Sequence, residues 1–135
     1  MSPTPLLFVR GSVYLIKFAS DDPARNPIIE KFCLCLQQGS IIHNRPFFVG
    51  VILTTCKNNS TPRLFPWTVY VAPAESRTDF GAIIECSQIY TVPKADVVKY
   101  AYNLSADTMR KVDQALQFGI GVVNVEDLKR LRPTQ

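Results

Sequence analysis

Residues 81–94 read GAIIECSQIYTVPK, and the interpretation of the rest of the chain starts from this stretch. Read as a strand, it places alternate residues on opposite faces of a sheet. One face carries Ile83, Glu85, Ser87 and Ile89, and the other carries Ile84, Cys86, Gln88 and Tyr90. A carboxylate, a hydroxyl and an amide are rarely buried without partners. We therefore expect Glu85, Ser87 and Gln88 to line a groove or an interface, or to lie on a solvated edge strand.

The composition is that of one globular domain. The 135 residues are enough for one core, and a content of 47% hydrophobic and 19% charged residues argues against disorder. We expect a single domain over residues 1–135, with an extended segment at 1–10 and a C-terminal tail at 123–135. Within that tail, residues 125–131 are a candidate short helix. The formal net charge of +4 mildly favours a polyanionic partner.

The N-terminus and the cysteines together predict a cytoplasmic protein. No charged segment precedes the first apolar residues, and Arg10 and Lys17 interrupt the apolar run, so neither a signal peptide nor a membrane span is expected. The four cysteines are then expected to be free thiols. With His43 as the only histidine, the sequence offers no set of metal ligands, and we predict no metal or other cofactor.

Five strands and one helix are predicted along the chain. The strands fall at residues 13–18, 31–37, 47–55, 67–71 and 81–94, where β-branched and aromatic residues lie between turn signals. Polar loops are predicted at residues 20–27, 56–66 and 74–79. The helix begins after Ser105, which is a good N-cap, and ends near Gly119 and Gly121. Its sheet-facing stripe is predicted to be Met109, Val112, Leu116 and Ile120.

This order of elements predicts a mainly β (α+β) fold, a small twisted barrel or highly curved sheet with a helix packed on it. The order and several short motifs resemble the PemK/MazF family of toxins from bacterial type II toxin–antitoxin pairs. The resemblance extends over roughly residues 11–122. It rests on GSVYLI at 11–16, VILTT at 51–55, QIYTV at 88–92, and Leu104-Ser105 followed by Met109, Val112, Ala115 and Leu116.

The resemblance implies a fold, an activity and partners. The fold is a small SH3-like β-barrel of the PemK/CcdB kind with a C-terminal helix. The activity is cleavage of single-stranded RNA, specifically mRNA, without a metal. In this reaction the ribose 2′-hydroxyl attacks the neighbouring phosphate. The products are a 2′,3′-cyclic phosphate and a 5′-hydroxyl. The implied partners are single-stranded RNA, a cognate antitoxin protein and a second copy of the chain in a homodimer.

The catalytic residues that the resemblance implies are Lys31, Thr54 and Arg25. Thr54 ends the third strand, where the family has a threonine that donates to a phosphate oxygen. Lys31 takes the place of a family arginine and keeps its charge, but it lacks the bidentate fork of a guanidinium. Arg25, in the first loop, is the arginine best placed to substitute for missing cations. A strand-end cap and a solvated lysine are the alternative interpretations of Thr54 and Lys31.

Other family residues are replaced. One branch of the family carries Arg-Cys-Asp-Gln where this chain has Glu85-Cys86-Ser87-Gln88, and the arginine of its Gln-Ile-Arg-Thr motif is Tyr90 here. Glu85 is either a base or a charge that repels RNA. Trp67 either stacks on a base or packs in the core, and Lys57 and Arg63 either follow an RNA backbone or solubilise their loop. The predicted RNA-binding set is Thr55, Lys57, Arg63, Trp67, Glu85, Ser87 and Gln88.

Two functions therefore remain open at the level of sequence. The first is a toxin-like endoribonuclease with an altered site. The second is a catalytically degenerate module on the same fold that binds nucleic acid or a protein partner. A third, a redox or ligand-binding protein using Cys33 and Cys35, has no supporting set of residues.

Overall fold

The structure of the protein is a computed structural model, which describes residues 8–19, 24, 28–60 and 62–123. Its strands are β1 (Ser12–Ala19), β2 (Ile28–Cys35), β3 (Phe47–Thr55), β4 (Thr68–Val71), β5 (Ala82–Pro93) and β6 (Val97–Asn103). Its α-helices are α1 (Ser40–His43), α2 (Pro73–Ser76) and α3 (Ala106–Gly119), and a 3₁₀ turn at Lys94–Asp96 links β5 to β6. The predicted polar loop at 74–79 thus overlaps the one-turn helix α2, and the one-turn helix α1 lies between the second and third strands.

The six strands form one sheet in the order β4-β5-β3-β2-β1-β6. β1 pairs antiparallel with β2 and with β6, β2 with β3, and β4 with β5. The mainly β, α+β class is confirmed. The sheet is not closed, since β4 and β6 are its two edges, so the word barrel describes it only loosely.

The sixth strand is absent from the sequence prediction. β6 reads VVKYAYN and pairs with β1, with register shifts at Val13/Tyr14 and Leu15/Ile16. Its valines and tyrosines favour a strand. Only Tyr102 of this strand is buried, however, and the residues of the strand show no regular apolar alternation.

The chain divides into two units. The first contains the described residues up to Leu53 together with Ile89–Leu104, and the second contains Thr54–Gln88 together with the described residues from Ser105 onward. In the first unit, Phe8, Tyr14 and Phe48 form an aromatic cluster with ring centroids 5.0–5.8 Å apart. Around it lie the buried side chains of Ile16, Cys33, Cys35, Ile42, Ile52 and Val92.

The cysteines are free thiols, as predicted, and three of the four are buried. Burial raises the pKa of Cys33 and of Cys86 to about 12, and burial also raises the pKa of Cys35. These thiols are therefore protonated at neutral pH, and a thiol is a poor nucleophile in that form. This finding argues against the redox interpretation of Cys33 and Cys35.

In the second unit, α3 begins and ends where the sequence predicts. The Ser105 hydroxyl accepts a hydrogen bond from the Thr108 N–H at 3.2 Å, and the last helical residue is Gly119. The helix packs against β4 and buries Thr108, Val112 and Ala115. The predicted stripe is wrong at Ile120, which is 57% exposed because it follows the last helical residue. The candidate helix at residues 125–131 lies outside the described residues.

Glu75 links α2 to the start of α3. Its carboxylate accepts hydrogen bonds from the Ser105 N–H and the Thr108 hydroxyl, both at 2.7 Å. Burial alone would raise the pKa of Glu75, but the hydrogen bonds from Ser105 and Thr108 outweigh it, so the pKa lies below its usual range. Glu75 thus satisfies backbone and side-chain donors at the N-terminus of the helix, where a negative charge is favourable.

We expect Glu75→Gln to lower the free energy of unfolding at pH 7 by about 1 kcal/mol, since hydrogen bonds to a charged group are lost. Because the pKa of Glu75 is lowered in the folded state, its contribution is present above the unfolded pKa and is lost as the pH falls through the folded pKa. Urea unfolding of Glu75→Gln at pH 7 and in acid measures this contribution to the free energy of unfolding. Glu30→Gln, at an exposed position, is the control. A deficit of equal size at both pH values would contradict the assignment.

Candidate nucleic-acid interface

β3 ends in two exposed hydroxyls, those of Thr54 and Thr55, at the position that the sequence predicts. Adjacent strand residues point to opposite faces, so the two hydroxyls point in opposite directions at the strand end. After them the Cys56 N–H donates a hydrogen bond to the Gly81 carbonyl at 2.9 Å, which holds the chain beside the start of β5. Thr55 then lines an open depression in the second unit.

The depression has a volume of about 470 Å³ and a polar, mainly cationic lining. Lys57 and Arg77 contribute two positive charges, Asp79 contributes one negative charge, and Thr55 and Thr78 contribute hydroxyls. Ammonium, guanidinium and hydroxyl groups are the donors that proteins use for phosphate oxygens. The depression therefore suits a phosphate group, and it unites Thr55 and Lys57 from the predicted set.

Arg77 belongs to this surface, although no sequence motif predicts it. It ends α2 in the left-handed region, with φ 58°, and its N–H donates to the Pro73 carbonyl at 2.8 Å. A non-glycine residue adopts this conformation at a cost of about 1 kcal/mol or more, so the turn is held by its surroundings. The sequence shows only a basic residue in a polar loop; nothing in it places that loop beside Lys57.

Three side chains of the loop before β4 form a stacked column. The rings of Phe65 and Trp67 lie 4.9 Å apart and almost parallel, at 5°, and the Arg63 guanidinium lies 5.2 Å from the Phe65 centroid. Phe65 is 38% exposed, and Trp67 is half-buried. Trp67 thus stacks on its own loop, and the column of residues 63, 65 and 67 offers rings and a cation of the kind on which bases stack.

Two polar residues in the centre of β5, Glu85 and Ser87, are hydrogen-bonded to each other. Glu85 Oε1 accepts hydrogen bonds from the Ser87 N–H at 3.2 Å and from the Ser87 hydroxyl at short range. Glu85 is half-buried, whereas Ser87 and Gln88 are exposed. The predicted alternation holds in the first half of β5, where Ala82, Ile84 and Cys86 are buried.

Lys31 belongs to the first unit. It lies in β2 opposite Ile16, is half-buried, and places its ammonium 5.8 Å from the Phe18 ring centroid. Phe18 in turn packs edge-on against Tyr90, with centroids 5.1 Å apart at 85°. Tyr90, which stands where the family motif has an arginine, therefore packs against the Phe18 ring. Arg25 lies outside the described residues.

Two findings concern metals and membranes. Within residues 8–19, 24, 28–60 and 62–123, no three His, Cys, Asp or Glu side chains come together as metal ligands would. None of the described helices combines the length and the apolar character needed to traverse a bilayer.

The fold and this surface define a small, mainly β domain with a C-terminal helix and a face suited to single-stranded nucleic acid. Residues 9–120 match the family described as PemK-like, MazF-like toxin of type II toxin-antitoxin system. The chain belongs to this family, as the sequence motifs indicated. A comparison with curated proteins gave no match.

Solved structures of the same fold include an endoribonuclease by itself and two complexes. An endoribonuclease from Mycobacterial species is 25% identical, with 84% of this chain and 90% of that chain covered and a TM-score of 0.63. An endoribonuclease in complex with its cognate antitoxin, also from Mycobacterial species, is 24% identical, with coverage of 87% and 99% and a TM-score of 0.66. The MazE–MazF complex (Form-II) from Deinococcus radiodurans is 11% identical, with coverage of 88% and 100% and a TM-score of 0.69.

Proposed function

We propose that this protein is the toxin of a type II toxin–antitoxin pair and that it cleaves single-stranded RNA without a metal. The observation that carries the proposal is the family match over residues 9–120 together with the cationic depression beside the end of β3. A similar protein of 25% identity is an endoribonuclease. We propose that the protein acts in the cytoplasm, where mRNA is available.

The proposed reaction is an internal transfer. A base removes the proton of a ribose 2′-hydroxyl, whose oxygen attacks the adjacent phosphorus; the bond to the 5′-oxygen breaks, and that oxygen takes up a proton. The protein must stabilise the added negative charge on the phosphate and must position the 2′-oxygen in line with the leaving oxygen. Its products are a 2′,3′-cyclic phosphate and a 5′-hydroxyl.

Thr54, Lys31 and Arg25 are the proposed catalytic residues. The exposed hydroxyl of Thr54 donates to a phosphate oxygen, and the charges of Lys31 and Arg25 oppose the charge that develops there. Both lysine and arginine are suited to that task, although only arginine offers two parallel donors.

Substrate binding is assigned to Thr55, Lys57, Arg63, Trp67, Glu85, Ser87 and Gln88. The charges of Lys57 and Arg77 in the depression compensate for those missing at Glu85 and Tyr90. Glu85 already accepts two hydrogen bonds from Ser87, so we assign this pair to the shape of the groove and not to proton transfer.

We propose two protein partners. One is a cognate antitoxin, which lays a disordered segment into the RNA groove and so competes with substrate. An endoribonuclease of the same fold, 24% identical, is in complex with its cognate antitoxin, which supports this partner. The other is a second copy of the chain, in a homodimer.

Incubation of the purified protein with a long single-stranded RNA in EDTA tests the proposal. We expect cuts at a recurring short motif, with 5′-hydroxyl ends that polynucleotide kinase labels directly. Salt-sensitive RNA binding without cuts would instead support the degenerate binding module. If the protein neither cuts nor binds RNA, the proposed function is wrong.

The stacked column makes a separate prediction about affinity. We expect Phe65→Ala to weaken binding of single-stranded RNA about tenfold, because stacking of one base on an aromatic side chain contributes roughly 1–3 kcal/mol. Fluorescence anisotropy with a labelled oligonucleotide measures this, and Tyr100→Ala, which removes an exposed ring from β6, is the matched control. Equal affinity of the two variants would exclude the column from the RNA path.

A further inference from the structure

A second cavity of the second unit adjoins the cationic depression. It has a volume of about 290 Å³, and Asp79 and Phe80 line both spaces. Small-molecule sites generally measure about 300–1,000 Å³, so this cavity, at the lower end of that range, suits one planar group and not a chain of them. None of the residues assigned to RNA above lines it.

The lining of the cavity combines apolar surfaces with hydrogen-bonding groups. Tyr70, Phe80 and Pro73 supply flat apolar surfaces, while Asn58, Asn59 and Asp79 supply hydrogen-bonding groups. This division suits a nucleobase, which has two apolar faces and a polar edge.

The cavity is held in shape by contacts of its own lining. The Tyr70 hydroxyl donates to the Phe80 carbonyl at 3.2 Å. Gly81 follows with φ +87°, and a Cβ there would lie 2.6 Å from the tyrosine oxygen, so only glycine allows the ring to rest against this turn. On the other wall, Asn58 Oδ1 accepts a hydrogen bond from the Ser60 N–H at 2.9 Å, which fixes the loop. A preformed cavity binds without the cost of ordering its walls.

The carboxylate of Asp79 determines which base fits. An ionised carboxylate is an acceptor with two oxygens, and no hydrogen bond or ion pair from the described residues engages that of Asp79. Among the four RNA bases, only guanine presents two neighbouring donors on its Watson–Crick edge, N1–H and the 2-amino group. Adenine and cytosine present one amino group beside an acceptor, which a carboxylate repels.

We propose that this cavity is a guanine-binding subsite, in which Asp79 accepts both donors of a flipped-out base. The phosphate of the same nucleotide then lies toward Lys57 and Arg77, because the depression and the cavity share a wall. The inference rests on the proposed function only in that RNA is the source of the guanine; binding of the free nucleotide follows from the cavity alone.

NMR titration with guanosine, inosine and adenosine 5′-monophosphates tests the proposal without any need for cleavage. Inosine lacks the 2-amino group, so we expect the wild type to bind it about tenfold more weakly than guanosine, the loss of one donor of a bidentate pair. The amide signals of Asn58 and Asn59 should shift on binding. In Asp79→Asn the preference for guanosine over inosine should fall to about twofold or less, whereas Asp96→Asn should keep it.

The outcomes separate this inference from the proposed function. Equal binding of guanosine and inosine by the wild type, binding of neither, or an unchanged preference in Asp79→Asn would overturn the subsite. Because the guanosine–inosine comparison is made on the wild type, it holds even if the variant fails to fold. RNA cleavage with no guanine at a fixed position would also overturn the subsite while the nuclease stands. Guanosine selectivity without cleavage would keep the subsite and remove the nuclease.

Discussion

Thr54→Ala should cut RNA about 100 times more slowly than the wild type, while its affinity for RNA changes little. Removal of a single donor that faces the developing phosphate charge typically costs 10²–10³ in rate. Thr54 is exposed at the end of β3, so the substitution leaves no cavity in the core. Single-turnover cleavage of a labelled RNA measures the rate, and Thr91→Ala, at an exposed position of β5, is the matched control.

Lys31→Ala should have a similar effect on the rate, and Lys31→Arg should restore most of it because the charge returns. The arginine variant separates catalysis from packing, since Lys31 also lies over the Phe18 ring. Lys99→Ala controls for the loss of one exposed positive charge. If both Thr54→Ala and Lys31→Ala cut RNA at the rate of their controls, the catalytic assignment is wrong.

Gly119→Ala should unfold more easily than the wild type, by about 3 kcal/mol, although helix propensity predicts the opposite sign. Alanine stabilises an unconstrained helical position relative to glycine by about 1 kcal/mol. At Gly119, however, a Cβ would overlap the Cys86 carbonyl oxygen and would lie 2.6 Å from its carbon, both of them backbone atoms of β5. Overpacking of this kind costs about 1–3 kcal/mol or more, because neither backbone yields easily.

Urea unfolding of Gly119→Ala is compared with that of Gly39→Ala, a second glycine-to-alanine variant of the same chain. Gly39 has φ +67° and ψ −147°, a conformation almost reserved for glycine, and a Cβ at this position would meet no atom within 4 Å, so the cost of alanine there is that of its backbone conformation alone, about 1–3 kcal/mol. A Gly119→Ala variant as stable as the wild type would show that α3 does not press its last turn onto β5. The two variants thus distinguish crowding from backbone strain.

Strands with a clear apolar pattern could be predicted from the sequence. β3 has the predicted bounds of 47–55, and β5 the predicted alternation through Cys86. The sequence does not predict β6, because a strand with one buried residue, Tyr102, shows no periodic apolar pattern. The spacing of Ile120 fits the helix face, but spacing does not decide which of the two predicted end points, Gly119 or Gly121, ends the helix.

The candidate site could be predicted only in part from the sequence, because it depends on which loops lie next to each other. Thr54 and Thr55 are recognisable from one strand end, and the motif order identifies their family. Arg77 and Asp79 become part of a surface only because the segment after α2 returns beside Lys57, a long-range contact that local sequence does not encode. Similarly, the stacking of Phe65 on Trp67 requires the loop conformation, since the sequence shows only two aromatic residues two positions apart.

The most direct test of the proposed nuclease is to remove its nucleophile from the substrate. Once a preferred cut is mapped, an oligonucleotide is made with a single 2′-deoxyribose on the 5′ side of that phosphate and is compared in EDTA with the all-RNA strand. We predict that the all-RNA strand is cut to a 5′-hydroxyl product and that the substituted strand is bound but stays whole at that position. Cleavage of both strands at equal rates would contradict the account, because the attacking group would then not be the ribose hydroxyl.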